Sequence, residues 1–343
     1  MKSVAPLESK RVLVAGAVNL DRYYSVPSLE KCRLLPWWPR AGERVLPAEE
    51  RSALNELMVS SSDITQTLEC GGGQAANFAV ALAEIGAPVS LFSAVGNDPT
   101  GSRALEALGN VDLSFIHHSQ RTTEAFIFVD DAGDRDILIS PSDEPLPLSV
   151  SAISQIRWSH IHFTSMPLAK HVDLQVQIAT QAASKSLDIG ALYAEMGRPR
   201  LVNLLRGLDV LFATEQELEI FTDLPLPRAV DALFSDGVDL ICCKRGSAGA
   251  STYSRAGIST HCEAAAVRSM DTTGAGDVFA AAFVAARLTG STDDLALKVA
   301  TVLASHSVTA LGRQAYPNAE SFSAVLSEVG YVPNVGVQLG QME

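Results

Sequence analysis

Seven consecutive residues, Asp271-Thr272-Thr273-Gly274-Ala275-Gly276-Asp277, carry the strongest chemical signal in this chain. Gly274, Ala275 and Gly276 are small, so their N–H groups can approach a ligand closely. An apolar run of helical character follows at once and stops at Gly290. The unsatisfied N–H groups at a helix start, and the helix dipole, favour negative charge. Asp277 falls in the first turn, beside those donors. A carboxylate next to an anion hole can accept a proton from an attacking hydroxyl while the hole holds a phosphoryl group. The plainer reading is a tight glycine turn with a carboxylate that merely stabilises the helix start.

Such a string needs a scaffold, and the rest of the chain supplies an alternating one. Residues 11–18 and 89–96 read as buried strands, and 74–86 and 100–109 as the helices after them. The rhythm resumes with strands at 160–166, 209–214 and 239–244 and helices at 168–184, 215–222, 274–290, 293–310 and 319–329. Alternation of this kind argues for a largely parallel sheet covered on both faces. Two stretches break it. Residues 125–140 alternate around Asp131-Ala132-Gly133-Asp134 and read as a β-hairpin. Residues 22–70 hold prolines, Trp37 and Trp38, and little periodicity. Both read as excursions forming a small β-lid; for 46–66 the alternative is a disordered insertion.

Of the 343 residues, 47% are hydrophobic and 19% charged, a globular composition. Formal net charge is −13, which repels phosphate backbones and argues against nucleic-acid binding. An acidic protein that handles an anionic nucleotide must gather positive potential locally, from backbone N–H groups, helix N-termini or Mg²⁺. The five cysteines form no C-x-x-C and suggest neither a disulfide framework nor a zinc site. The N-terminal stretch is a poor signal peptide and no apolar run reaches 18 residues, so a cytoplasmic protein with no membrane span is expected.

The seven-residue string resembles the second signature of the ribokinase-like carbohydrate kinases, the PfkB family. The likeness extends over nearly the whole chain. Gly16-Ala17-Val18-Asn19-Leu20-Asp21 is similar to the first-strand motif, and Pro39-Arg40-Ala41-Gly42-Glu43 to the lid segment after it. Gly72-Gly73-Gln74-Ala75-Ala76-Asn77 resembles the first signature, and Val95 to Gly101 its continuation. Lys244 to Ala250 looks like the turn over the nucleotide phosphates, and Ser307 to Gly312 like the helix end near adenine and a monovalent cation.

The resemblance implies a three-layer α/β/α fold with a mostly parallel central sheet and a small β-lid. Residues 1–331 would form one kinase domain, with lid parts at about 22–70 and 125–140 and a tail at 332–343. The implied activity is ATP-dependent phosphorylation of an alcohol group on a small sugar or sugar-like molecule. Asp277 would be the general base and Gly274, Ala275 and Gly276 the anion hole. Asn19, Asp21, Gly72, Gly73 and Asn77 would bind substrate hydroxyls. Thr214, Glu217, Lys244, Gly246, Gly249 and Thr301 would face ATP, with Glu217 acting on Mg²⁺ through water. Asp271 and Thr273 would lie near a potassium-type ion. Lid edges invite pairing with another chain, and the relatives' pairing implies a homodimer with Val26, Leu29 and Phe126 or Phe128 at the contact. Alternatively, the extra residues before Gly72 cover the edge within one subunit.

The sequence also departs from the family pattern. The family's N-x-x-E is here Thr214 and Glu217, without the Asn. Ser165 stands before Pro167-Leu168, where ribose-specific members have a carboxylate. That departure keeps open a nucleoside kinase of the same fold, and a non-catalytic sugar-binding regulator is the rival from another class. Other signals are weaker. Gly96 to Arg103 has P-loop glycine spacing but lacks the lysine, and Gly71 to Ala76 fits a dinucleotide fingerprint without a buried strand before it. His160 and His162 alternate on a strand and could share a metal, though no third ligand is evident.

Overall fold

A computed structural model describes residues 6–38, 42–132, 134–142, 150–166 and 170–330. Its strands are β1 (Val12–Ala15), β2 (Asn19–Val26), β3 (Gly42–Val45), β4 (Thr65–Gly72), β5 (Val89–Gly96), β6 (Asp112–Ser119) and β7 (Thr123–Asp130). They continue with β8 (Arg135–Ser140), β9 (His160–Thr164), β10 (Lys185–Asp188), β11 (Leu208–Thr214), β12 (Val238–Lys244), β13 (Ala250–Ser254) and β14 (Ser259–Cys262).

The main sheet has the order β14-β13-β12-β11-β10-β9-β1-β5-β6. Every pair from β12 to β6 is parallel, and β13 and β14 add an antiparallel edge. Helices cover both faces because the inner strands are apolar on both. Val12 and Val14 of β1 point into one buried cluster, Leu13 and Ala15 into another. The helix Gln74–Ile85 and the alanine-rich helix Ala275–Leu288 fill the first. This is the expected three-layer ribokinase-like α/β/α arrangement. In such sheets ligands bind beyond the carboxyl ends of the strands, where β10, β11 and β12 end at Asp188, Thr214 and Lys244.

A second sheet, ordered β3-β8-β7-β2-β4, forms the lid. It starts three residues before the expected Arg22 and ends two after Cys70, since β2 begins at Asn19 and β4 closes at Gly72. Alternation along β2 turns Asn19, Asp21 and Tyr23 to one face and Tyr24 and Val26 to the other. That other face is covered within the chain. Tyr24, Val26, Phe126, Phe128 and Leu138 pack with Leu29, Trp38, Leu46 and Leu54 into a separate core. Residues 46–66 are therefore not a disordered insertion: the helix Arg51–Ser60 places Leu54 over the lid, and β4 begins at Thr65. The proposed dimer contact is corrected too. Val26, Leu29, Phe126 and Phe128 are 0–5% exposed within one chain and cannot form a surface.

One buried charge anchors this cover. Asp136 of β8 is fully buried and receives Arg33 Nε and Nη2 at 2.8 Å each, Trp38 Nε1 at 2.9 Å and the Gly42 N–H at 3.2 Å. A buried carboxylate persists only when its acceptors are filled in this way. The ion pair thus holds the segment around Trp37 and Trp38 against the sheet, and the two tryptophans are packing residues. Of the lid motif Pro39–Glu43, only Gly42 and Glu43 lie within the described residues, as do no parts of the Pro167-Leu168 pair or the tail 332–343.

Candidate active site

Asp21 and Asn77 line one cavity, and Asn77 also bonds Asp277 just behind it. Gly274 sits at φ 78°, the left-handed region, and caps the helix Ala275–Leu288. A methyl group there would strike the Tyr316 hydroxyl, so glycine is required for both conformation and space. Asp277 follows in the first turn, 8% exposed. Its Oδ2 accepts Asn77 Nδ2 at 2.9 Å. Burial pushes the Asp277 carboxyl up to about 7, and nearby Asp188 adds to this; Asn77, Lys244 and Arg313 oppose it. A base poised near neutrality suits proton abstraction at physiological pH. The expected anion hole is narrower than three donors, because the Ala275 N–H is given to Thr272 O at 3.3 Å.

Across the cavity, Asp21 is buried with Oδ1 lacking a partner, and burial raises its carboxyl to about 7. Asn19, one turn of the pleat earlier, also buries an unpartnered Oδ1. Gly72 lies against Asp21 so closely that any Cβ would collide with the carboxylate. Gly73 opens the helix that carries Asn77. These five expected substrate residues are therefore brought together. The cavity is about 270 Å³ and is lined by Asp21, Tyr23, Asn77, Thr273, Arg313 and Tyr316 among others. That is just under the roughly 300 Å³ at which drug-sized pockets begin, so it suits a small polyol. A larger hollow of about 520 Å³ against Val267, Arg268, Met270 and Thr309 holds none of the reactive groups.

The expected nucleotide side divides. Lys244 Nζ sits 2.5 Å from Asp188 Oδ2 and beside Gly276, at the mouth of the anion hole. Burial works against its charge, but Asp188 and Glu217 outweigh that and hold the amine protonated. Thr214 caps the helix Glu215–Thr222 in a reciprocal box: its Oγ1 accepts the Glu217 N–H at 3.1 Å, and Glu217 Oε2 accepts the Thr214 N–H at 2.7 Å. Gly246 and Gly249 bound the short turn after Lys244, both at positive φ. Thr301 is not brought to this surface; it is 3% exposed and its hydroxyl donates to Leu297 O within its own helix.

Two carboxylates, Asp188 and Glu217, lie near Lys244, and Asp188 Oδ1 is buried without a partner. A pair of carboxylates fits Mg²⁺, which takes its remaining ligands from phosphate and water. A monovalent cation fits less well. Asp271 accepts the N–H groups of Thr273 and Gly312 at 2.9 and 3.0 Å, so its carboxylate staples the loop. Thr273 Oγ1 accepts the Arg135 guanidinium at 2.9 Å, so that oxygen is already engaged. His160 and His162 hold no metal geometry either. They bond Ser184 and Ser186 at 2.7–2.8 Å in a buried ladder, and burial keeps both neutral.

Several groups here were not anticipated: Asp188, Arg135, Arg313 and Tyr316. Ser165 and Gln74, both noted in the sequence, are joined at 2.6 Å. Arg313 is the one residue a longer reading of the Ser307–Gly312 motif would have reached.

Comparison with known proteins places the chain in a family. Residues 49–320 match the pfkB family carbohydrate kinase description. An ATP-dependent ribose-1-phosphate kinase from Halopiger xanaduensis is 31% identical over 281 residues, covering 78% of this chain and 90% of that protein. A ribokinase from Arabidopsis thaliana is 26% identical, covering 89% of this chain and 77% of that protein. Among solved structures, Arabidopsis thaliana ribokinase with ribose and ATP aligns with a TM-score of 0.74 at 22% identity, covering 94% and 99% of the two chains. Adenosine kinase from Sinorhizobium meliloti aligns at 0.77 and 20%, covering 93% and 99%. By the family match over residues 49–320 and the likeness to the Halopiger xanaduensis kinase, the chain belongs to the PfkB family of carbohydrate kinases.

Proposed function

We propose that this protein transfers the γ-phosphoryl group of ATP to a hydroxyl of a small sugar, with Asp277 as general base. The observation that carries the reading is a buried carboxylate at a helix N-terminus, with one oxygen held at 2.9 Å by Asn77, a residue that lines the Asp21 cavity. Asp21 accepts from substrate hydroxyls, and Gly72 and Gly73 let the sugar lie against backbone. Asp277 Oδ1 takes the hydroxyl proton. The sugar oxygen then bonds to Pγ in line with the breaking bond to the β-phosphate oxygen, and ADP leaves. The N–H groups of Gly276 and Asp277 and the Lys244 ammonium face the charge on the transferring group. Mg²⁺, held by Asp188 and Glu217, would supply further neutralisation of the phosphates. The lid excludes water and so limits ATP hydrolysis.

Substrate choice is the finer question. Ser165, bonded to Gln74, replaces the carboxylate of ribose-specific members. A curated relative is named for a sugar 1-phosphate. Both favour a substrate other than free ribose, with a nucleoside or a sugar phosphate as the second reading. Thermal shift across sugars, sugar phosphates, sugar acids and nucleosides, with Mg²⁺ and a non-hydrolysable ATP analogue, ranks them. For the base itself, Asp277→Asn is expected to keep nucleotide binding and lose kcat by about 10²–10⁴-fold. Turnover within threefold of wild type would remove Asp277 from that role.

A further inference from the structure

Arg313 stands in the substrate cavity, yet its donors point into the protein. Nε and Nη2 both donate to Asn77 Oδ1, at 3.2 and 3.0 Å, and Nη1 donates to Ala107 O at 2.6 Å. Among the described residues, no carboxylate lies within ion-pair distance of it. We propose that Arg313 is a positioning residue that fixes the orientation of the Asn77 amide and, through it, the rotamer of Asp277.

The argument is one of amide polarity. An Asn side chain presents a carbonyl oxygen on one side and an NH₂ on the other, and the two ends have the same shape. Only one orientation works here. With Oδ1 on the guanidinium, Nδ2 faces Asp277 Oδ2 at 2.9 Å and donates to it. Flipped, the NH₂ would meet guanidinium N–H groups and the carbonyl would meet a carboxylate, so both contacts become repulsive. Arg313 therefore makes the flip unfavourable on two sides at once. Without it, only Asp277 remains to choose the orientation, and protonation of Asp277 would release even that.

A second consequence bears on Asn77. Its Oδ1 is taken by two N–H groups and one amide hydrogen goes to Asp277, so a single N–H remains for substrate. Asn77 is thus mainly the link between Arg313 and the base. The charged groups around Asp277 are Asp188, which raises its carboxyl, and Lys244 and Arg313, which lower it; Tyr316 faces it as well. Loss of Arg313 should therefore raise the Asp277 carboxyl further. Activity that needs the carboxylate would then fail at a higher pH than in wild type.

This inference rests on Asp277 as the base, and the experiment separates the two. Steady-state kinetics and pH profiles would be taken for Arg313→Met, Arg313→Lys, Asn77→Ala, the double variant Arg313→Met/Asn77→Ala, and Asp277→Asn, each with a melting curve. Arg313→Met is expected to lower kcat about tenfold with KM for ATP little changed. The acid limb of kcat should move to higher pH, and Arg313→Lys should recover part of both. In the Asn77→Ala background, Arg313→Met should change kcat less than twofold, because the link is already cut. Multiplying effects in the double variant would overturn the proposal, as would an unmoved acid limb. A change confined to the sugar KM would instead make Arg313 a direct substrate contact and equally overturn it. Should Arg313→Met not fold, Arg313→Lys in both backgrounds decides by the same two readouts. If Asp277→Asn stays active, the base assignment fails whatever Arg313 does.

Discussion

Asp21→Asn should make the unliganded protein more stable above neutrality while spoiling substrate binding. Asp21 is buried, its Oδ1 has no partner, and burial raises its carboxyl from 3.8 to about 7, against Arg313, which lowers it. The folded state therefore keeps the proton over a window in which the unfolded chain has lost it. For a carboxyl raised on folding, stability is full below about pH 4, declines as pH rises, and is fully lost by about 7. The shift is about three pH units, and each is worth about 1.4 kcal/mol. The ceiling is thus about 4 kcal/mol at pH 8, reduced to the extent that the site relaxes or admits water. At about 1.4 °C per kcal/mol for a chain of this size, the amide would raise Tm by up to about 6 °C. The assay is calorimetry of wild type and Asp21→Asn from pH 5 to 9 without ligand. The Tm difference should grow up to about pH 7 and then level off, while KM for the sugar rises far more than KM for ATP. A difference that stays flat across the range, or a variant less stable at pH 8, would refute the account of Asp21 as a strained, substrate-awaiting carboxylate.

Two other outcomes follow from the same contacts. Gly72→Ala drives a methyl group into the Asp21 carboxylate and should cost substrate affinity by tenfold or more with ATP affinity retained; equal loss of both would place Gly72 outside the sugar site. Sedimentation at micromolar concentration should give a monomer, or at least no dimer that dissociates on polar substitution of Val26 or Phe128, because that lid face is buried in one chain; a dimer broken by exposed substitutions on β3 or β4 would point to the edges instead.

Most of the scaffold was legible because its elements are strongly periodic and cleanly stopped. The helix at 74–86 ends at Gly86, which sits at φ 113° and returns its N–H to the preceding turn. The strand at 89–96 and the helix at 215–222 fall where expected. The helix at 168–184 was drawn too long: it ends at Ala179, and Lys185–Asp188 forms β10. Four residues are too few to show a period, so β10 and its terminal Asp188 were invisible. Asp277 and Asp21 stood out because each lies in a short string of small or polar residues whose members stay adjacent in the fold. Arg313, Tyr316 and Arg135 did not, since each reaches the site across the fold. Thr301 failed for the opposite reason: a helix position on a recognised motif says nothing of which face is buried.

The lid shows how one insertion changes what the two faces of a sheet must do. A five-stranded sheet with Asp21 on its inner face needs rigidity there, because a buried carboxylate without a partner must be held in place by its surroundings. Rigidity requires packing on the outer face. The outer face could recruit a second subunit; here Leu29, Trp38, Leu46 and Leu54 supply the packing instead, pinned by Asp136. The cover is local in sequence to β2, β3 and β4. Asp136 lies in β8, next to Arg135, whose guanidinium reaches Thr273 in the loop before Asp277. The residue that anchors the lid's outer cover is therefore adjacent in sequence to the one that touches that loop. Lid position and loop position are tied through β8.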